Sequence, residues 1–286
     1  MRHLIEVKCA VRRRPYACAM PELFGTDAFS PAQIAARVSE VGVAKARLPL
    51  LPLAMLGLLA GAFIGLGSLF AVIVYSDASL GFAAQRVVGG VVFSLGLFLV
   101  VVAGAELFTG NNLLAMAWAE GKVSSAELLR NWTVVCAANF VGALGLGALV
   151  FLSGHTDMNG GAVGRSYIAI AAAKTALPPV TAFFSAVLCN ALVCMAVWMS
   201  LAGRSVVDKL VAVVLPIAAF VAAGFEHSVA NMYLIPLGLA LQAQAGQAVD
   251  AWGLARNLLP VIAGNIVGGS VLVALVYRAI YLRPRA

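Results

Sequence analysis

An all-α membrane protein of six transmembrane helices, an inverted 3+3 repeat with the second and fifth helices broken midway, is the fold class this sequence predicts. Three observations predict it. The composition is 62% hydrophobic and only 11% charged, with mean hydropathy +0.98, which leaves too little charge for an ordinary soluble surface. The apolar residues fall in charge-free runs at 48-76, 87-105, 107-119, 131-154, 175-203, 210-225, 228-249 and 257-277. Finally, Gly104-x-Glu106-x4-Asn111 recurs as Gly224-x-Glu226-x4-Asn231, each copy placing a glutamate inside an otherwise apolar stretch.

Residues 1-47 read as a cytoplasmic N-terminal segment. They carry Arg12-Arg13-Arg14, a topology determinant or contact with anionic lipid, and show no apolar stretch directly after the basic start, so no cleavable signal peptide is expected. From Pro31 to Arg47, Ile34, Val38 and Val41 recur at helical spacing. The plainer role of the segment is anchoring and orientation; covering the cytoplasmic mouth is the alternative.

The transmembrane domain follows at 48-282, leaving 283-286 as a cytoplasmic tail. About 20 apolar residues cross the hydrocarbon core as a helix, so the runs beginning at 48, 131, 175 and 257 each suffice alone. The pairs 87-105 with 107-119 and 210-225 with 228-249 flank the two glutamate patterns, and each is too long for one simple crossing. They read as broken spans, with Gly104, Gly110 and Gly224 supplying backbone freedom. Irregular backbone at membrane depth survives only where it is buried or lines a cavity. Gly57, Gly61 and Gly65 read as a ridge for close helix packing.

With both termini on one side, fifteen of the 19 Lys and Arg residues share the terminal face, against Arg86, Arg165, Lys174 and Arg256 on the other. The positive-inside rule puts the termini in the cytoplasm, which accounts for the net charge of +7 without nucleic acid. A second pattern, Arg130-Asn131-x7-Asn139-x-Val141-Gly142, recurs as Arg256-Asn257-x7-Asn265-x-Val267-Gly268. From 104 to 224 and from 130 to 256 the offsets are 120 and 126 residues, in the same order. The chain therefore divides into halves at about 48-154 and 175-282, and three spans per half makes them inverted.

Inverted repeats with discontinuous helices place a permeation site near the midplane, where half-helix N-termini suit an anion or polar acid. Glu106 and Glu226 occupy equivalent positions, so symmetry favours a structural role, each accepting hydrogen bonds from N–H groups freed by its break. His227 has no counterpart; the matching residue is Leu107. A histidine is a switchable donor near neutral pH, and Thr109 in the opposite break is placed to orient it. A buried core histidine is the blander reading. No metal or cofactor is expected: the five cysteines form no CxxC pair, and only His3, His155 and His227 are available.

The segments Gly104-Ala-Glu-Leu-Phe-Thr-Gly-Asn111, Asn190-Ala-Leu-Val-Cys-Met-Ala-Val-Trp-Met199 and Gly224-Phe-Glu-His-Ser-Val-Ala-Asn-Met232 closely resemble the formate/nitrite transporter family, over about residues 30 to 282. The resemblance implies an aquaporin-like protomer, a homopentamer with one path per protomer, and no enzymatic activity. It also implies that His227 is the central histidine and Thr109 the threonine facing it, that Lys174 is a vestibule lysine attracting the anion, and that Asn190 and Asn265 hydrogen-bond permeating species. Phe93, Leu97, Leu107 and Phe220 become the apolar constrictions. Formate in the inner membrane of a cell, passing with a proton, is the leading expectation, with nitrite or hydrosulfide next. An aquaporin-like neutral-solute channel is the alternative from another class, disfavoured because no Asn-Pro dipeptide stands at either break.

Overall fold

The computed structural model describes residues 28-282. The basic residues before Phe29, including Arg12-Arg13-Arg14, and the tail at 283-286 lie outside the described residues. Within them every regular element is helical, and six helices are long and apolar enough to cross a membrane: Leu50–Tyr75, Phe82–Gly104, Ser125–Leu152, Pro179–Ser200, Val206–Ala223 and Ala251–Tyr281.

The first half begins with α1 (Pro31–Ala46), started by a reciprocal cap between Ser30 and Gln33 with Pro31 at its first position. Spans α2 (Leu50–Tyr75) and α3 (Phe82–Leu99) follow, the latter widening into a π-turn at Val100–Gly104. After the break come α4 (Phe108–Asn111), a 3₁₀ turn, α5 (Ala115–Ala119) and α6 (Ser125–Leu152). The second half repeats this order with α7 (Ala162–Thr175), α8 (Pro179–Ser200), α9 (Val206–Ala223), α10 (Ser228–Gln244) and α11 (Ala251–Ile266). A π-helical stretch, Val267–Leu275, runs into α12 (Val276–Tyr281).

The repeat is longer than the two patterns indicate. Each half has a short helix ahead of its first span, α1 in one and α7 in the other, and both end in a lysine-bearing turn. The boundary at residue 47 thus falls between α1 and α2, with α1 packed on the body: Ile34, Ala35 and Val38 are buried together with Leu113, Met116 and Trp198.

Spans within each half approach closely. A Cβ at Gly61 would stand 2.0 Å from the Asn139 carbonyl oxygen, and one at Gly142 2.0 Å from that of Leu58, so α2 and α6 meet backbone to backbone. In the second half Gly264 and Gly268 of the sixth span do the same against Phe183 and Val187 of α8. This contact fixes the span bearing Asn139 or Asn265 against the unbroken first span of its half.

Candidate functional site

Both interruptions use a glycine in left-handed conformation, Gly104 at φ +81° and Gly224 at φ +78°, where other residues are strained. Gly110 differs: it sits inside α4 with ordinary space around it, so only two of the three predicted glycines serve the breaks. Beyond each glycine the chain is extended up to Leu107 or His227, which cap α4 and α10.

The freed N–H groups do not go to the glutamates. Glu106 N–H donates to the Leu56 carbonyl at 3.2 Å, and Glu226 N–H to Ser185 Oγ at 3.1 Å. The first helical N–H of α4, on Phe108, donates to Asn139 Oδ1 at 2.9 Å, and that of α10, on Ser228, to Asn265 Oδ1 at 3.0 Å. Each asparagine then returns its Nδ2 across the break, Asn139 to Gly57 O and Glu106 O, Asn265 to Ala186 O and Glu226 O. Neutral amides that both donate and accept satisfy a gap in a helix without adding charge, which suits a low-dielectric interior.

The glutamates are instead held by charge. Lys45 Nζ lies 2.8 Å from Glu106 Oε1, and Lys174 Nζ 2.8 Å from Glu226 Oε1. The second carboxylate oxygen accepts from Asn111 Nδ2 at 2.7 Å in one half and Asn231 Nδ2 at 2.6 Å in the other. Asn111 in turn contacts Asn131 Oδ1 and Asn231 contacts Asn257 Oδ1, while Asn131 and Asn257 donate to the carbonyls of the same two lysines. A buried carboxylate is costly unless paired and fully hydrogen-bonded, and each of these is both. The lysine of the first half escaped the sequence reading. Its signal is Lys45-x2-Leu48-Pro49, repeated as Lys174-x2-Leu177-Pro178 at the end of α1 and α7.

Between the two networks the symmetry fails. Thr109 Oγ1 and His227 Nε2 are 3.0 Å apart, both fully or almost fully buried. His227 Nδ1 accepts from the Ala230 N–H at 3.1 Å, capping α10. An accepting Nδ1 carries no proton, so the hydrogen of the neutral imidazole resides on Nε2 and points to Thr109. Phe220 stacks on the imidazole at 5.7 Å between centroids, and Phe93 meets Phe220 edge-on at 5.6 Å. Asn190 Nδ2 contacts Thr109 O, Asn112 Oδ1 and Asn265 O, so the donor groups of Asn190 and Asn265 are both engaged by protein.

Two cavities flank this centre. On the terminal face, a cavity of about 370 Å³ under α1 is lined by Lys45, Glu106, Asn111, Leu97 and Leu107 among others. On the far face, one of about 300 Å³ is lined by Tyr75, Arg86, Lys174, Glu226, Phe93, Phe220 and His227. Leu97 and Leu107 line the first cavity and Phe93 and Phe220 the second, and all four are buried. Among the described residues, no group of three or more His, Cys, Asp or Glu is arranged to hold a metal ion.

Inverted three-span halves, two interrupted helices and a cavity toward each face, the far one reaching a buried histidine, define a membrane channel or transporter. The family profile described as Formate/nitrite transporter matches residues 32–279. The chain is 40% identical over 277 residues to the formate channel FocA of Escherichia coli (strain K12), covering 90% of this chain and 96% of that one. It is 38% identical over 278 residues to a probable formate transporter of Methanothermobacter thermautotrophicus, covering 91% and 99%. Among solved structures, it matches a pentameric formate channel with formate bound at TM-score 0.75 and 36% identity, covering 82% of this chain and 98% of that one. It also matches an FNT family ion channel at TM-score 0.78 and 30% identity, covering 88% and 99%. The chain belongs to the formate/nitrite transporter family, as the three motif segments indicate, and is a multi-pass membrane protein.

Proposed function

We propose that this protein passes formate across the inner membrane of a cell, as a homopentamer with one path in each protomer and both termini in the cytoplasm. The observation that carries the reading is the hydrogen bond that His227 Nδ1 accepts from the Ala230 N–H. That bond leaves Nε2–H as a fixed donor at the narrow centre. Such a donor matches a carboxylate or other small oxyanion. The similarity to formate channels and to a pentameric, formate-bound structure supports the choice of substrate and assembly.

On this reading an anion enters either cavity and meets a lysine already holding a glutamate, Lys174 on the far face or Lys45 on the terminal face. Ahead lie Phe93 and Phe220 from one side, or Leu97 and Leu107 from the other. An unpaired charge is poorly solvated among these side chains, and protonation removes most of that cost. The substrate accordingly crosses the centre as the neutral acid, its carbonyl oxygen accepting from His227 Nε2–H and its hydroxyl facing Thr109 Oγ1. The proton travels with the substrate; Nδ1 gains none without releasing the cap of α10. Asn190 and Asn265 act as positioning residues, since their donors already hold Thr109 and the two sides of the second break.

Formate, nitrite and hydrosulfide flux into proteoliposomes, compared with glycerol-driven swelling, tests the proposal. Formate flux well above that of protein-free vesicles, rising as pH falls on the entry side, is expected. Preferential nitrite or hydrosulfide flux would reassign the substrate within the family, and glycerol swelling without anion flux would overturn the acid reading.

A further inference from the structure

The far-face cavity holds a cation that the central mechanism does not use. Arg86, near the start of α3, donates from Nε to Ala222 O at 2.9 Å and from Nη2 to Val221 O at 3.0 Å. It thereby caps the carbonyl end of α9 just before the second break. Gly224 leaves the space for it, since a Cβ there would stand 2.7 Å from Arg86 Nη2. The guanidinium carbon lies 6.0 Å from the Tyr75 ring centroid, and both side chains line the cavity that reaches His227.

Charge accounting separates the two mouths. Lys174 is matched by Glu226 at 2.8 Å, and Lys45 by Glu106 at the same distance. Among the described residues, Lys45 and Glu106 are the charged residues lining the terminal-face cavity, and their charges cancel. The far-face cavity has Lys174, Glu226 and Arg86 and keeps one positive charge. Among the described residues, Arg86 forms no ion pair with a carboxylate. The carbonyl end of α9 opposes it with about half a negative charge, which reduces its field without cancelling it. The remaining guanidinium N–H groups are free to meet an oxyanion in the fork geometry arginine favours.

We propose that Arg86 is the anion-capture residue of the far-face mouth, holding the incoming monovalent oxyanion before it reaches Lys174 and the aromatic constriction. The inference rests on the proposed transport of a small anion and adds a sidedness to it: anion occupancy is higher in the far-face vestibule than in the terminal-face one.

The test uses the full chain in right-side-out and inverted membrane vesicles, reading the half-saturating formate concentration from each face. Ionic strength is varied from about 0.01 M to about 1 M, over which the Debye length falls from roughly 30 Å to roughly 3 Å. Arg86→Gln is expected to raise half-saturation from the far face about threefold to tenfold at low ionic strength, the low end of what a single-sign cleft supplies. The difference should shrink at high ionic strength, terminal-face half-saturation should stay as in the wild type, and Arg86→Lys should retain capture while losing the two-point cap. Thermal melting of each variant separates the cap from the charge. A salt-independent loss shared by Arg86→Gln and Arg86→Lys, or an equal shift from both faces, would overturn the proposal and leave Arg86 a helix cap. Wild-type vesicles that carry nitrite and no formate would instead overturn the formate reading, with the same salt series in nitrite still deciding the role of Arg86.

Discussion

Thr109 Oγ1 and His227 Nε2 lie 3.0 Å apart although 118 residues separate them, and each comes from the interrupted helix of a different half. The framework of the two breaks is duplicated: two left-handed glycines, two lysine–glutamate pairs and two bridging asparagines. The pair itself is not. A symmetric scaffold therefore holds open two gaps, and this asymmetric contact between them supplies the group available for chemistry.

The lysine–glutamate pairs are expected to behave as units. Removing one partner of a buried pair strands the other charge, which costs about 3 to 5 kcal/mol. Glu226→Ala should therefore lower the melting temperature of the solubilised protein more than the double substitution Lys174→Met with Glu226→Gln. The same order should hold for Glu106→Ala against Lys45→Met with Glu106→Gln, and a double variant no more stable than the single would show that the ion pair is not what secures the break.

Asn139→Leu and Asn265→Leu should be equally harmful. Each removes three hydrogen bonds, including the one to the first N–H of a half-helix. With each orphaned buried group costing about 1 to 3 kcal/mol, both variants should show large losses in thermal stability or yield. A mild effect at Asn265 beside a severe one at Asn139 would break the predicted equivalence.

Close packing of α2 on α6 gives a sharp pair of alanine substitutions. At Gly61 a methyl group would collide with the backbone of Asn139, whereas at Gly145 no neighbouring atom lies within 4 Å. Gly61→Ala should destabilise by at least about 3 kcal/mol, the upper end of ordinary overpacking, with Gly145→Ala silent in the same melting assay.

Much of this arrangement was legible in the sequence because the repeat left paired marks. The glutamate pattern located both breaks, and the second pattern located Asn139 and Asn265, legible as residues that join helices, although their bonding to both sides of each break came from the structure. The glutamate partners were harder to read: Lys45 and Lys174 sit on helices packed against the breaks from elsewhere in the chain, so no local periodicity links them to Glu106 and Glu226. Only the repeated Lys-x2-Leu-Pro sequence marks them. The cap made by His227 Nδ1 was also hidden, because histidine is not among the preferred capping residues and its tautomer depends on the fold. Arg86 counted as one far-face charge in the sequence, and its place at the end of α9 required the crossing of α3 and α9.

Replacing His227 by Asn keeps a side-chain acceptor for the N-terminus of α10 and removes the Nε2–H donor. The most direct measurement is internal acidification of dye-loaded proteoliposomes on imposing an inward formate gradient at zero membrane potential, corrected for protein-free vesicles. Wild-type protein should acidify the lumen faster as external pH falls, and His227→Asn should slow it about tenfold or more, equivalent to losing one hydrogen bond to a charged or strongly polar group of about 1.5 to 3 kcal/mol. Formate entry without acidification, or acidification by His227→Asn at the wild-type rate, would contradict the account.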